Sequence, residues 1–302
     1  MDQKIFADLH NHTTASDGDF TPDQMVEQAG THGIKAIGIT DHDTLDGLKT
    51  AVAAGEKYDI EVVPGVEVSI RFKRSYFTGT LHLLCYFKSG RLFDDQFVKG
   101  FQDVLAKGRG EKLVRSRVDE INKNFGPDKK TALLKRDLKF EDIAFFSNNA
   151  TRRHFALALK ERFGVSDIDI INTILGNNSP AYLPSGIDLE GMVSFIRKNH
   201  ILAVLAHPAA GSFPGKGHYK EVLPPLEIVE RILPEFIAAG IQGLEVYYPG
   251  HIKEHEDLMK SWAKKYNLLL TGGSDCHDGI ERPVGVSGIS ESEYMIFKES
   301  LA

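Results

Sequence analysis

The sequence predicts an α/β fold, a small (β/α) barrel interrupted once by an inserted helical subdomain. Three observations carry this. Short apolar runs alternate with helical stretches across short connections, first over residues 1–91 and again over 184–302. Between them, residues 92–183 hold helical stretches and no buried strand run. Acids and histidines, finally, fall repeatedly at the ends of the apolar runs.

Ile5-Phe6-Ala7-Asp8-Leu9 predicts the first strand, followed by a polar loop from His10 to Phe20. Thr21-Pro22-Asp23 supplies an N-cap, a proline at the first helical position and an early acid, so a helix is expected from Pro22 to His32, ended by Gly33. Ala36–Thr40 reads as the second strand, Leu45–Tyr58 as a helix capped near Asp43 or Thr44, and Val62–Val66 as the third strand. Val68–Arg74 and Thr80–Phe87 predict a hairpin turning over Ser75–Gly79. The alternation then stops: Phe97–Ile121, Arg152–Phe163 and Ser166–Leu175 are helical, and Phe140–Phe146 is short. It resumes with helices over Leu189–Asn199, Ile228–Ala239 and Ile252–Tyr266, interleaved with strands over Ile201–Ala206, Gly243–Tyr247 and Leu268–Thr271, before a closing helix over Glu291–Leu301. Residues 1–91 with 184–302 therefore form the expected barrel, and 92–183 the inserted helical unit. One sequence does not state its strand order, so a doubly wound open sheet under a cap is the alternative.

The chain sets 36 Lys and Arg against 42 Asp and Glu, a net charge of −6, which argues against a broad basic surface for duplex DNA. No run approaches the ~18 apolar residues of a membrane span. Met1-Asp2-Gln3-Lys4 lacks the apolar core of a signal peptide, so a cytoplasmic protein with no membrane partner is expected. Cys85 and Cys276 are too few and too far apart for a disulfide framework or a thiolate zinc site. The unusual count is twelve histidines, several beside acids.

Their positions matter more than their number. His10 and His12 follow the first strand, His42 the second, Glu67 ends the third, His207 ends the run Ile201–Ala206, and Asp275 with His277 follows Leu268–Thr271. In a parallel barrel the C-terminal strand ends meet on one face. His82 lies near a strand start and joins them only if that strand runs antiparallel. Six histidines and several carboxylates around one cavity repel and compete unless a cation organises them, and imidazole with carboxylate suits Zn²⁺, Mn²⁺ or Fe²⁺. His10-Asn11-His12 and Asp275-Cys276-His277 each put two donors on one side of an extended segment, with Cys276 turned away to pack. Gly272-Gly273 allows close backbone approach. Taken singly, each has an ordinary reading: Glu67 as a surface acid, His207 before Pro208 as a structural histidine, His32, His200 and His255 as surface histidines. Asp8 and Asp41, one step from these residues, would orient imidazoles or cap strand ends.

Asp8-Leu9-His10-Asn11-His12, Ser16-Asp17-Gly18, Thr40-Asp41-His42-Asp43, Gly65-Val66-Glu67, His207-Pro208 and Gly273-Ser274-Asp275-Cys276-His277 together resemble the motifs of the PHP (polymerase and histidinol phosphatase) family, in order and across nearly the whole chain outside the insertion. The resemblance implies a distorted seven-stranded (β/α) barrel with a two- or three-metal phosphoesterase centre. By motif, His10, His12, Glu67 and Asp275 match the ligands of one metal. Glu67 as a bridge, His82 and His207 match those of a second, and Asp17, His42 and His277 those of a third.

Ala150-Thr151-Arg152-Arg153-His154-Phe155-Ala156, Ala181-Tyr182-Leu183-Pro184 and the run from Gly243 to His251 are similar to a bacterial PHP subgroup with an inserted helical domain. That subgroup includes nucleoside 3′,5′-bisphosphate phosphatases and 5′-to-3′ exoribonucleases. Its Gly-Arg-Pro-His run implies that Arg152 and His154 hold the substrate phosphate; Thr151 and Arg153 depart from that pattern. A second departure is the longer stretch from Gly211 to Pro225, which sets Lys216, His218 and Lys220 near the expected cavity mouth. Without the resemblance Arg152 reads equally as a solvated helix charge, and His251 as a substrate contact or a helix-start residue. The resulting expectation is hydrolysis of nucleotide phosphomonoesters, or of short 5′-phosphorylated single-stranded RNA, by metal-bound hydroxide. Arg152, His154 and Asp275 would be catalytic, Tyr182 and His251 would touch substrate, and Tyr247 and Tyr248 are further stacking candidates. A histidinol-phosphate-type phosphatase and a non-catalytic metal-stabilised scaffold are the alternatives.

Overall fold

The apolar runs become strands buried on both faces, as a sheet wrapped by helices requires. The computed structural model describes residues 4–147, 149–214 and 223–301, so Lys216, His218 and Lys220 lie outside the described residues. The strands are β1 (Ala7–Asp8), β2 (Ala36–Ile39), β3 (Glu61–Arg74), β4 (Phe77–Tyr86), β5 (Ile187–Asp188), β6 (Leu202–Leu205), β7 (Gly243–Tyr247) and β8 (Leu269–Gly272). Their order is β1-β2-β3-β4-β6-β7-β8, with β5 paired to the outer part of β3. Leu9 N–H donates to Gly272 O (3.1 Å), and Asn11 bridges Cys276 in parallel, so the last strand meets the first. This nearly closed seven-stranded barrel excludes the open-sheet alternative.

Two expected elements merge. The third strand and the first hairpin arm are one 14-residue strand, β3, which runs seven residues past Glu67 before β4 returns antiparallel to it. β4 is antiparallel to β6 as well, and this reversal brings His82 to the face where the other strands end. The helix expected from Leu45 begins at Leu48 behind Gly47, with no side-chain cap. Asp43 is committed elsewhere: its carboxylate accepts from Ser69 N–H (2.7 Å) and pairs with Arg109.

Phe97–Ile121, expected as one helix, is two: Asp95–Leu105 and Glu111–Phe125, separated by Gly108-Arg109-Gly110. The first packs on the barrel, where Phe101 lies 4.8 Å from the Phe195 ring and Phe97 lies 5.0 Å from Phe87. A separate apolar cluster begins at Val114 and ends at Ala181. The segment 92–183 is therefore divided between the barrel's outer layer and a helical lobe with its own core. At the barrel floor the closing helix Glu291–Ser300 inserts Phe297 edge-on against Tyr86 (5.1 Å), whose hydroxyl donates to Leu9 O (2.9 Å).

The approach of the last strand to the first leaves no room for a side chain at Gly273, where an added Cβ would sit 2.4 Å from His10 Cβ. Gly191, in the helix Leu189–Asn199, has nothing within 4 Å of that position. Gly273→Ala is expected to destabilise the protein by roughly 1–3 kcal/mol, and Gly191→Ala to stabilise it by up to ~1 kcal/mol. Opposite signs in denaturant titration are the predicted result; equal shifts would contradict the packing at Gly273.

Candidate metal centre

His10 and His12 are fixed in extended backbone just past β1, where Asp275 N–H donates to His10 O (2.7 Å) and His12 N–H donates to Cys276 O (3.0 Å). These two links draw the loop after β8 against the loop after β1, so Asp275 and His277 face the same space as His10 and His12. Glu67 rises from β3 into that space, where its backbone bridges His42. Among the described residues, six non-glycine positions have positive φ; Asp59, His200 and Asn267 cap helices, whereas Asp43, His207 and Asp275 stand at this cluster. A left-handed backbone at such residues is strained; it accompanies the turn of His207 and Asp275 toward the centre, while Asp43 turns to Ser69 and Arg109.

Glu67, 1% exposed, is the hub. Its Oε2 lies 3.3 Å from His10 Nε2, 3.2 Å from His12 Nε2 and 3.1 Å from His42 Nδ1. Its Oε1 lies 3.0 Å from both His82 Nδ1 and His207 Nε2. His10 Nε2 and His12 Nε2 are 3.1 Å apart, and Asp275 Oδ1 lies 3.5 Å from the first and 3.1 Å from the second. A tetrahedral ion with bonds of about 2.0–2.1 Å holds its ligand atoms about 3.3 Å apart. The set His10, His12, Glu67 and Asp275 has that spacing. Two further sets, His12-Asp17-His42-His277 and His42-Glu67-His82, share members with it. His12 Nδ1 and His42 Nδ1 have no hydrogen-bond partner among the described residues. The donor set thus fits divalent cations held by nitrogen and oxygen, with no thiolate: Cys85 and Cys276 are buried and free.

The electrostatics point the same way. Burial by itself pushes the His12 imidazole down, but Asp275 and Glu67 overcome it and hold His12 at about 10. His10 is raised by Glu245, Glu67 and Asp275 against the same burial. Despite burial, Glu67, Asp17 and Asp275 stay well below the usual carboxylate range, the first two through neighbouring imidazoles and Asp275 through Arg282 as well. Burial pushes His42 down to about 3, keeping it neutral. The protons on His10 and His12 thus stand among ionised carboxylates where a divalent ion, which binds neutral imidazole, would take their place.

Orientation of the ligands comes from a residue the sequence reading missed. Glu245, fully buried on β7, accepts from His10 Nδ1–H (2.9 Å) and from His207 N–H (2.7 Å), so His10 Nε2 is left for the centre. An acid inside the apolar run Gly243-Leu244-Glu245-Val246 was the available signal. Asp8 and Asp41 touch no imidazole nitrogen among these bonds and serve as strand-end caps. Asp8 takes Ser274 N–H (2.9 Å), Ser274 Oγ–H (2.6 Å) and Gly285 N–H (2.8 Å). Asp41 takes Thr13 N–H and Oγ–H (both 2.7 Å). Arg282 pairs with Asp275, and Tyr248 O–H donates to the same carboxylate (2.8 Å).

The centre opens into a cavity of about 370 Å³ whose lining includes Arg152, Arg153 and Tyr182 along with Arg109, Arg117 and Arg282. Among the expected substrate residues, His154 and His251 are absent from that lining. His154 spends Nδ1 on the N–H of Thr151 (2.9 Å), capping its own helix Arg152–Phe163. His251 donates from Nδ1 to Val246 O (2.8 Å) and accepts Ala209 N–H at Nε2 (3.2 Å). Both of its ring nitrogens are thereby committed to backbone. Tyr247 is turned to Glu293 (2.7 Å), and His255, expected at the surface, is buried where it caps its helix. Thr151 reaches the centre directly, donating its hydroxyl to Asp17 Oδ2 (2.7 Å). Arg109, which pairs with Asp43 and donates to Ala150 O (3.2 Å), gives no signal in sequence; it lies between two glycines far from any motif.

Comparison with known proteins agrees with this geometry. The PHP domain matches as a family profile over residues 8–96. A 5′-3′ exoribonuclease of Haemophilus influenzae is 27% identical, covering 89% of this chain and 89% of its own length. A phosphoribosyl 1,2-cyclic phosphate 1,2-diphosphodiesterase of Eggerthella lenta is 27% identical (92% and 96%). A 3′,5′-nucleoside bisphosphate phosphatase of Chromobacterium violaceum is 28% identical (89% and 86%). In fold, a Bifidobacterium adolescentis structure described as a metal-dependent phosphoesterase superposes with a TM-score of 0.75 at 22% identity, covering 98% of this chain and 96% of that one.

Because Glu67 meets ligands of more than one set while Asp17 belongs to one, Glu67→Ala is expected to lose more bound metal than Asp17→Ala. Elemental analysis after identical purification measures this. Parent-like stoichiometry in Glu67→Ala would remove Glu67 from the bridging position.

Proposed function

We propose, from the premise that this chain belongs to the PHP family, that it is a metal-dependent phosphoesterase that removes phosphate from nucleotides or from the 5′ ends of short single-stranded RNA. The observation that carries the reading is the placement of a five-imidazole carboxylate at the base of a cavity lined by arginines. His10, His12, Glu67 and Asp275 would hold one cation; Glu67 with His82 and His207, and Asp17 with His42 and His277, would hold a second and a third. Zn²⁺, Mn²⁺ and Fe²⁺ all suit these donors. Such ions supply Lewis-acid polarisation of the phosphoryl group and acidify water.

The chain's own residues do the rest. Arg152 opens the helix Arg152–Phe163 at the cavity wall, where a guanidinium fork and the helix N-terminus both favour phosphate oxygens. Arg282 and Tyr248 fix the Asp275 carboxylate, so its other oxygen keeps its place beside His10 and His12. Glu245 holds His10 in the tautomer that presents Nε2. The helical lobe supplies one wall of the cavity, and a cleft walled in this way is in keeping with a nucleotide or a strand end, rather than duplex DNA, as substrate. The complete ligand set speaks against a non-catalytic scaffold. None of the described helices is long and apolar enough to cross a membrane, and two free buried cysteines are in keeping with a cytoplasmic setting.

Arg152→Ala should lower kcat/KM on an accepted phosphomonoester about 10- to 150-fold, from the loss of a charge-assisted hydrogen bond, while bound metal stays at the parent level. Steady-state kinetics paired with elemental analysis tests both halves. Across a panel, metal-replete protein is expected to turn over nucleoside 3′,5′-bisphosphate or 5′-phosphorylated RNA, with little activity on histidinol phosphate and none on blunt duplex DNA. Preference for histidinol phosphate would overturn the nucleotide reading and leave the phosphoesterase.

A further inference from the structure

The arginines around the cavity are not equivalent. Arg109 is matched by Asp43, Arg282 by Asp275, and Arg153 by Asp19 (3.4 Å) and Asp278 (3.7 Å). Arg117, on the lobe helix Glu111–Phe125, has no carboxylate within ion-pair distance among the described residues. It is held instead by a neutral group: Nε and Nη2 donate to Leu183 O at 3.0 and 2.7 Å. That anchoring fixes the guanidinium plane and leaves donors on its other edge. Burial in the lobe wall pushes it down to about 10, so its charge is desolvated without an anion beside it. Its other partner is the Phe155 ring, 5.9 Å away, so the guanidinium is met by neutral groups and its charge is left for an anion from the cavity.

Its position says which anion. Arg117 and Tyr182 line both the main cavity and an apolar side niche floored by Phe155 and Ile174 that contains no candidate metal ligand. Tyr182 reaches Thr80 (3.5 Å between hydroxyls), and Thr80 sits two residues before His82 on the same face of β4. Two residues along a strand span about 7 Å. Arg117 therefore belongs with Tyr182 to the part of the cavity wall that leads away from the metal ligands toward the side niche.

We propose that Arg117, with Tyr182 beside it, forms a second anion subsite that takes a phosphate group of the substrate other than the one hydrolysed. The proposal rests on the phosphoesterase reading above and deepens it: the preferred substrates carry two phosphate groups on one small scaffold. The second group comes from a terminal phosphate or from the next phosphodiester of a strand.

Equilibrium binding tests this without turnover. The probes are adenosine carrying non-hydrolysable phosphonates at both the 3′ and 5′ positions, its two singly substituted analogues, and a 5′-phosphonate dinucleotide with either a phosphodiester or a neutral methylphosphonate linkage. Titration calorimetry on the protein as purified should show the doubly charged adenosine binding about tenfold or more tightly than either single analogue. Arg117→Gln, which keeps an N–H for Leu183 O, should abolish that preference, and Arg117→Lys should restore part of it. An Arg117-dependent preference for the phosphodiester dinucleotide over its neutral twin extends the subsite to strands; its absence confines it to terminal phosphates. No preference in the parent protein, or equal weakening of single and double analogues by Arg117→Gln, would overturn the subsite. Should no substrate release phosphate while the Arg117-dependent preference persists, the catalytic reading fails and the subsite stands.

Discussion

Glu67 has five imidazole nitrogens within 3.3 Å of its two oxygens and almost no solvent. An isolated carboxylate at such a place costs several kcal/mol to bury, so everything that stays buried there must complement it. Much of the barrel's irregularity follows from that demand. β3 runs on past Glu67 so that β4 can come back along it, and the reversed β4 delivers His82. β6 delivers His207 only because the residue adopts a left-handed backbone. The loop after β8 is pulled onto the loop after β1 by Asp275 N–H and Gly273, so that Asp275 meets both histidines of β1. A regular parallel barrel would bring fewer of these groups within reach of one carboxylate.

Among the polar links between the helical lobe and the barrel, two tie it into the same arrangement. Thr151 donates to Asp17, and Arg109 spans from Asp43 to Ala150 O, one residue before that threonine. Each link joins a loop carrying a candidate metal ligand, Asp17 or His42, to the start of the helix that presents Arg152. The lobe keeps a core of its own, so these links and the wall of the cavity fix its register on the barrel rather than a shared apolar interior. Positioning of the arginine and of the ligand loops is thereby one structural event.

Much of this was legible in the sequence because the relevant residues sit where apolar runs stop. His10, His12, His42, Glu67, His207, Asp275 and His277 are strand-end residues, and any parallel barrel gathers strand ends. His82 was conditional on strand direction, which β4 settles. The sequence reading erred where an acid's neighbours in space differ from its neighbours in the chain. Asp8 and Asp41, adjacent to ligands, bind backbone and hydroxyl groups, whereas Glu245, distant in sequence, orients His10. His154 and His251 illustrate the converse, since backbone groups claim Nδ1 of His154 and both ring nitrogens of His251. Arg109, Arg117 and Arg282 carry no motif, and their meaning arises only from what the fold sets beside them.

A net charge of −6 is at odds with an anion-binding cavity only until the charges are paired off. Solvent and salt screen surface acids within about 8–10 Å, so they contribute little inside the cleft. What an entering phosphate meets is local: guanidinium groups in a wall of low polarity and, at the base, carboxylates whose charge bound cations would reverse. Without bound cations the ionised Glu67, Asp17 and Asp275 are met only by the raised imidazoles of His10 and His12 and by Arg282, which leaves little charge to draw a phosphate. Metal and substrate binding are therefore coupled: a divalent ion held by the same carboxylates displaces those protons and adds the positive charge that an anion meets. Arg109 and Arg282, already paired with Asp43 and Asp275, add little to that attraction, and so it falls to the cations.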